Sequence, residues 1–569
     1  MKRIIVGILA SLGFVTLLLS IGLGVLVWMF LPGDDDLPER IVLTIDLRDG
    51  IEEAAKDGSL AALDLAPGLT LAETVLAIDR ASQQSNVAGL IARIDGSGPG
   101  FAQTQELREA ITHFRRNGKF AFAYSTSFGE FGPGTIGYYL ASAFEEIHLQ
   151  PLGAVGLTGL YLETPLLQGL FEQAGVTMSG GKRGPYKTAA NMFTEQSLTR
   201  EHRQSLEWLA TSLDEQIRDG IVRGRRLARN AVDSLIDGGP YGADEAFRNG
   251  LIDRLSYWDE MVKRAKEKAG PDAELMGLDT FAGLVPADGS GDVIALIEGV
   301  GQIQQGDSSS GPAGTVMGAD TVARAIADAI NDKDVRAILF RISSGGGSAV
   351  ASETIAREVR RAIDMKKPVI VSMGDVAASG GYWIAMDATA IIADPGTLTG
   401  SIGVLAGKPV LDELWTKFGV NWGSVGRGAN ASMWSTNSDY NSLGRNRLEA
   451  FLDDTYDAFT AGVARGRDME QDDVHAIAEG RVWTGMQAKE LGLVDELGGF
   501  AKALDRARSE IGSDPENPVS IRRFPAPKPP WETALELVKS PLITLQALSD
   551  FIGLTVDPGA VSAPPVLIR

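Results

Sequence analysis

The stretch GYYLASAFEEIHLQPLGAVGLTG, beginning at Gly137, returns 244 residues later as GYWIAMDATAIIADPGTLTGSIG, beginning at Gly381. At that offset Gly137 meets Gly381, Tyr138 meets Tyr382, Ala141 meets Ala385 and Ile147 meets Ile391. Pro151 and Pro395, Gly156 and Gly400, and Gly159 and Gly403 continue the register without a gap. Further on, Gly175-Val176 matches Gly419-Val420 and Arg183-Gly184 matches Arg427-Gly428. Upstream, AGLIARIDGSGPG around Arg93 parallels RAILFRISSGGGS around Arg341 at an offset of 248, so one small length change separates the two registers. Self-similarity of this extent reads as a duplicated unit of roughly 220 residues, and the chain has to fold as two copies of one architecture.

Each copy alternates short apolar runs with helical patterns. Val293-Ile-Ala-Leu-Ile, Ala337-Ile-Leu-Phe-Arg-Ile and Pro368-Val-Ile-Val-Ser have no polar alternation, the mark of strands covered on both faces. Between them, Thr321 to Ile330 and Glu353 to Ile363 carry apolar residues at helical spacing. This alternation predicts an α/β fold, a parallel sheet with helices on its faces, made twice. With 569 residues the chain exceeds what one core supports. Residues 37–285 form the first unit and 286–512 the second, joined at the polar linker Pro286-Ala-Asp-Gly-Ser-Gly-Asp292. Residues 513–569 form a tail with Phe524-Pro-Ala-Pro-Lys-Pro-Pro530, read as packing on the body.

Residues 1–36 carry a different signal. After Met1-Lys2-Arg3, the run Ile4 to Leu31 is uncharged and apolar, and Asp34 to Asp36 follow it. As a helix it would span about 42 Å, against about 30 Å of membrane hydrocarbon. It is longer than a cleaved leader's apolar region and lacks a small-x-small site, so it reads as a retained single-pass anchor. Lys2 and Arg3 keep the N-terminus cytoplasmic and put the rest outside, the periplasm in a bacterium with two membranes. A net charge of −21 argues against a binder of nucleic-acid backbones. With no cysteine, a disulfide framework, a thiolate metal site and a cysteine nucleophile are all excluded. His113, His148, His202 and His475 stand without ligand spacing, and no metal or cofactor is assigned.

Where the copies differ, chemistry is indicated. Asp375-Val-Ala-Ala-Ser-Gly-Gly-Tyr-Trp383 follows an apolar run, so Ser379 is either a turn residue or a nucleophile on a strand-to-helix elbow. Its counterpart is Thr135, followed by Ile136 in place of Gly380. Conversely, Lys187 in Arg183-Gly-Pro-Tyr-Lys-Thr188 falls opposite Ala431. One copy keeps the serine, the other the lysine. A buried lysine loses its proton readily enough to act as a base, and Ser–Lys pairs are a variant of the nucleophile–base arrangement. Two copies related by a rotation could assemble one composite site. In the glycine loop, Ser343-Ser-Gly-Gly-Gly-Ser348 stands opposite Asp95-Gly-Ser-Gly-Pro-Gly100, so Gly347 meets Pro99, which has no N–H to donate.

At GDVAASGGYWIA, DPGTLTGSIGV, the PYK of the first copy and GRVWTGMQAKELGLVDELGG from Gly480 to Gly499, the chain resembles the long form of the bacterial signal peptide peptidase family, also called protease IV. The resemblance runs from the anchor to about residue 512. It implies a tandem Clp/crotonase-like α/β unit behind one transmembrane helix, and a membrane-anchored serine endopeptidase with a Ser/Lys dyad and no cofactor. By motif position Ser379 is the nucleophile, Lys187 the general base, and Ser401, opposite Leu157 in the first copy, hydrogen-bonds the lysine. The oxyanion donors implied are the N–H groups of Gly380 and of the glycine loop, Gly347 with Gly346 beside it. The family's loop usually reads Asn-Ser-Pro-Gly-Gly; glycine for proline at Gly345 loosens it and puts the alignment of the donors in question. The implied substrates are apolar peptides, cleaved signal peptides among them, at the inner membrane, and the implied assembly is a homo-oligomer, a tetramer for the two-copy form. A non-catalytic membrane-proximal scaffold and an acyl-CoA enzyme of the crotonase kind are the competing readings. Retention of Ser379 and Lys187 counts against the first, and an external location against the second.

Overall fold

The computed structural model describes residues 37–55, 68–96, 98–285, 291–311, 314–513, 519–526 and 567–568. The apolar run 4–31 and most of the tail lie outside them. Among the described residues no helix is long and apolar enough to cross a membrane.

The duplication is visible as topology. In the first unit, β1 (Ile41–Asp46), β2 (Val87–Arg93), β3 (Phe120–Ser125), β4 (Glu146–Leu149), β6 (Arg254–Leu255) and β7 (Glu274–Gly277) form a six-stranded sheet in the order β7-β1-β2-β3-β4-β6. The second unit uses β8 (Val293–Val300), β9 (Val335–Ser344), β10 (Val369–Ala378), β11 (Ala390–Ala393), β15 (Glu496–Leu497) and β16 (Ser520–Phe524). Their order, β16-β8-β9-β10-β11-β15, repeats the first, and every pairing in both rows is parallel. The second sheet adds β12 (Leu398–Gly400) and β14 (Val482–Thr484) beyond the end of β10, for eight strands in all. Its outer strand β16 comes from the stretch read as tail. Ser520–Phe524 pairs with β8 as β7 pairs with β1, so part of that stretch completes the second sheet.

Apolar runs such as Phe120-Ala-Phe-Ala-Tyr-Ser are buried from end to end because helices cover both faces of the sheet. Two helices of the first unit, α1 (Leu71–Gln83) and α2 (Phe101–Arg116), are shared between units. One side of α1, with Leu71, Val75 and Ile78, joins the first core, while Ala72 and Leu76 pack with Ile294, Leu339, Ile370 and Phe500 of the second. α2 packs against β10 and against the turn after β11, where a side chain at Gly396 would overlap the Phe101 ring. A second junction is an arm in which β5 (Thr177–Arg183) of the first unit pairs antiparallel with β13 (Val404–Val410) of the second, from Arg183↔Val404 to Thr177↔Val410. Arg183 also bonds to Glu449 (2.8 Å) and Asp453 on α8 (Ser442–Gly466).

A buried charge cluster closes the interface. Arg341 on β9 is 1% exposed and reaches into the first unit, to Glu53 and to Glu106 of α2, at 2.5 Å each. It also donates to Ser372 Oγ at 2.8 Å. The other Glu106 oxygen accepts the N–H of Phe500 at 2.7 Å. Burial pushes the Glu106 carboxyl up, opposed by Arg341, and raises Asp394, next to Glu106, well above the usual carboxylate range.

Candidate active site

Strand β10 runs into the short helix α7 (Gly380–Ala385), and Ser379 is the hinge between them. Its backbone sits at φ 53 and ψ −117, a region that non-glycine residues occupy at a penalty and that the surroundings must enforce. Enforcement is local. The Ser379 N–H donates to the Gly400 carbonyl at 2.8 Å, and the Ser379 carbonyl accepts the N–H of Trp383 at 2.9 Å. The counterpart Thr135 starts the regular helix α3 (Thr135–Ala141) and spends its hydroxyl on the Gly159 carbonyl at 2.9 Å. The first unit therefore has no elbow.

Lys187 comes across the interface to meet this serine. Its Nζ lies 2.8 Å from Ser379 Oγ, 2.8 Å from the Ser401 carbonyl oxygen and 3.0 Å from Ser401 Oγ. Three contacts fit an ammonium's three N–H donors and equally a neutral amine's two N–H donors and one lone pair. Lys187 is 5% exposed, and burial alone brings its ammonium down to about 7. Ala431, its counterpart, is exposed. Ser401 follows β12, in left-handed backbone at φ 51, with its N–H on the Arg481 carbonyl at 2.6 Å.

The loop bearing Lys187 is held by the second unit. Tyr186 N–H donates to the Glu479 carbonyl at 3.0 Å. Gly480, at φ +79, lies so near that a Cβ there would fall inside the Lys187 backbone. Behind it the rings of Tyr186, Trp208 and Trp483 stack, with successive centroids 5.9 Å apart, and the Arg481 guanidinium lies 4.3 Å from the Tyr186 ring. Trp208, on α4 (Arg200–Arg225), was not singled out from sequence; nothing in its spacing marks it. Tyr382 and Trp383 are core aromatics.

The glycine loop lies beside the elbow. A Cβ on Gly346 would come 2.8 Å from Gly380 N and 2.9 Å from Ser379 Cβ, so only glycine permits this approach. Glycine in place of the family's proline does not leave the loop untethered. Gly346 N–H donates to Ser344 Oγ at 3.1 Å, the Gly346 carbonyl accepts Ile303 N–H at 3.0 Å, and Ser348 N–H donates to the Ile303 carbonyl at 2.9 Å. In this parallel pairing Gly347 turns its own N–H away from Ile303. Gly380, first residue of α7, has no acceptor within the helix for its N–H. Of the three glycines, Gly380 and Gly347 thus carry donors not spent in this way, whereas the Gly346 N–H is occupied.

Comparison with known proteins agrees with the duplicated architecture. The chain matches peptidase family S49 twice, over residues 127–272 and 361–513. It is 30% identical over 529 residues to the chloroplastic serine protease SPPA of Arabidopsis thaliana, covering 90% of this chain and 76% of that protein. Protease 4 of Haemophilus influenzae is 29% identical over 467 residues, 79% of this chain and 74% of the relative. Protease 4 of Salmonella typhi is 30% identical over 452 residues, 77% and 71% respectively. A solved ClpP1 mutant chain from Listeria monocytogenes is matched at 14% identity and a TM-score of 0.25, over 37% of this chain and 94% of that one. That likeness is too low to place the repeats in the Clp fold. With both repeats matched and these relatives aligned over most of its length, the chain belongs to peptidase family S49 and is a serine protease.

Proposed function

We propose that the chain is a membrane-anchored endopeptidase whose nucleophile, Ser379, and general base, Lys187, come from different repeats. The carrying observation is the 2.8 Å approach of Lys187 Nζ to Ser379 Oγ in a buried setting where, among the described residues, no carboxylate holds the ammonium charged. Neutral Lys187 takes the Ser379 proton as Oγ attacks the scissile carbonyl carbon. The oxyanion that forms is held by the N–H groups of Gly380 and Gly347. The lysine ammonium then protonates the leaving amine, the C–N bond breaks, and water repeats the cycle on the acyl-enzyme. Ser401 aims the amine by accepting its two N–H bonds.

Apolar peptides, including signal peptides left in the membrane after cleavage, are the proposed substrates. In support, a cavity of about 210 Å³ lined by Met178, Phe193, Leu405 and Ala406 flanks the segments that bear Lys187 and Ser401. The run Ile4 to Leu31 is proposed to hold the body at the outer face of the inner membrane. We further propose a homo-oligomer, a tetramer, and kinship of the repeat with Clp protease and the crotonases. Trp422, Val425 and Trp434, exposed beyond the arm, favour self-association.

The test is hydrolysis of a signal-peptide-like apolar substrate by the full chain in detergent across pH 5–10, beside Ser379→Ala. Only the neutral amine accepts a proton, so activity should be low under acid conditions and level off above a midpoint near the lysine's value of about 7. Below that midpoint it should fall about tenfold per unit. A flat profile, or a folded Ser379→Ala enzyme with wild-type turnover, would refute the dyad. Ser401→Ala leaves the lysine its carbonyl acceptor but removes the hydroxyl. Its kcat should drop about tenfold with KM little changed, one hydrogen bond's worth. A loss in KM alone would reassign Ser401 to substrate binding.

A further inference from the structure

The elbow strand is not continuous with its neighbour. Residues Ile338 to Ile342 of β9 pair in step with Val369 to Met373 of β10, and then pairing resumes at Ser344↔Ala377. One residue of β9 therefore faces three of β10, Gly374 to Val376. Such bulges redirect a strand and its side chains. Here the bulge releases β10 from β11, with which it pairs through Met373, and hands Val376 to Ala378 to β12, the strand leading to Ser401. That exchange puts Ser379 next to Ser401.

Asp375 stands at the centre of the bulge, and its side chain crosses to the first unit. Asp375 Oδ1 accepts the N–H groups of Ala102 (2.7 Å) and Gln103 (3.2 Å), in the first turn of α2. The N-cap of that helix is Gly100, which has no side chain to cap it, and a Cβ on Gly100 would overlap the Asp375 carboxylate. The carboxylate thus supplies from the other repeat the cap that α2 lacks. Burial and the neighbouring Glu53 raise its pKa to about 6, while the two helix amides oppose that rise. The position opposite Asp375 in the first repeat is Phe131, fully exposed and without such a role.

We propose that Asp375 is a positioning residue for Ser379, fixing the bulge in β10 against α2 so that the elbow meets the lysine carried by the other repeat. This rests on the dyad reading above. Displacing a reacting group by about 1 Å lowers turnover by about 10². Asp375→Ala should therefore lose about 10²-fold in kcat, and as much in the rate of inactivation by a fluorophosphonate, with KM within about threefold. Asp375→Asn keeps an acceptor oxygen for the α2 amides and should stay within about fivefold of wild type. Gly100→Ala pushes the same carboxylate away from the first repeat's side and should reproduce the alanine defect, which keeps the test open should Asp375→Ala not fold. Wild-type inactivation rates in Gly100→Ala and Asp375→Ala, or equal losses in the Asn and Ala variants, would overturn the proposal. Ser379→Ala run in parallel separates the two levels. If it hydrolyses substrate, the dyad itself fails; if it is inert while the Asp375 variants react normally, only the positioning role fails.

Discussion

Lys187→Ala is expected to lower kcat by about 10³–10⁴ while leaving KM nearly unchanged, because the proposed base acts in the transition state and not in holding the peptide. Lys187→Arg should be no better, since a guanidinium does not lose its proton in this range. The loss should come without loss of fold, and stability offers an independent check. In the wild type the folded lysine titrates at about 7 against an ordinary 10.5, with burial as the cause. Between these values the unfolded chain binds more protons, so the stability deficit from burying the ammonium is absent above the upper value and complete below the lower one. Relative to wild type, Lys187→Ala should therefore gain stability as pH is lowered from 10 to 6, measured by urea denaturation across that range. An active Lys187→Ala enzyme would mean that another group deprotonates Ser379.

Arg341→Ala should be the most destabilising single change at the interface. It leaves Glu53 and Glu106 buried without their common cation, and breaking a buried pair of this kind removes about 3–5 kcal/mol. The pH dependence has a definite sign. Burial already raises the Glu106 carboxyl and Arg341 opposes that rise, so without Arg341 protonation of Glu106 favours the folded state. The deficit should be largest near pH 8 and shrink toward pH 5. Chemical denaturation at both values measures it, and a deficit independent of pH would mean that packing, not charge, accounts for the loss. Because this cluster joins the units, activity should fail at lower denaturant concentration than the helical signal does.

The duplicated sheet could be read from sequence because runs such as Val369 to Met373 are apolar throughout and recur in register. Ser379 and Lys187 could be read because each is present in one copy and absent from the other. Other features escaped for a physical reason: their partners lie far away along the chain. Arg341 looks like one charge in an apolar strand, and its counterpart Arg93 is half-buried over the Trp258 ring. Only the first has carboxylates from the other unit packed on it, and spacing does not reveal that. A charged residue inside a run as apolar as Ala337 to Ile342 was nonetheless a sign that a buried partner was needed. Asp375 was visible in the elbow motif but not its reach to α2, which depends on a bulge that no local pattern announces. The edge strand Ser520–Phe524 carries Arg522 and Arg523 among its five residues, and this polarity resembles a tail more than a sheet.

The proposed split of nucleophile and base between repeats has a consequence in time. Lys187 precedes Ser379 by 192 residues, so at about 5–20 residues per second it leaves the ribosome some 10–40 s ahead of its partner. In the proposed dyad, the nascent chain holds half a reaction centre during that interval. On that reading, competence arrives only once the second repeat has been made, folded and seated on the first. The order of the chain itself thus sets the delay between the arrival of the proposed base and that of the proposed nucleophile.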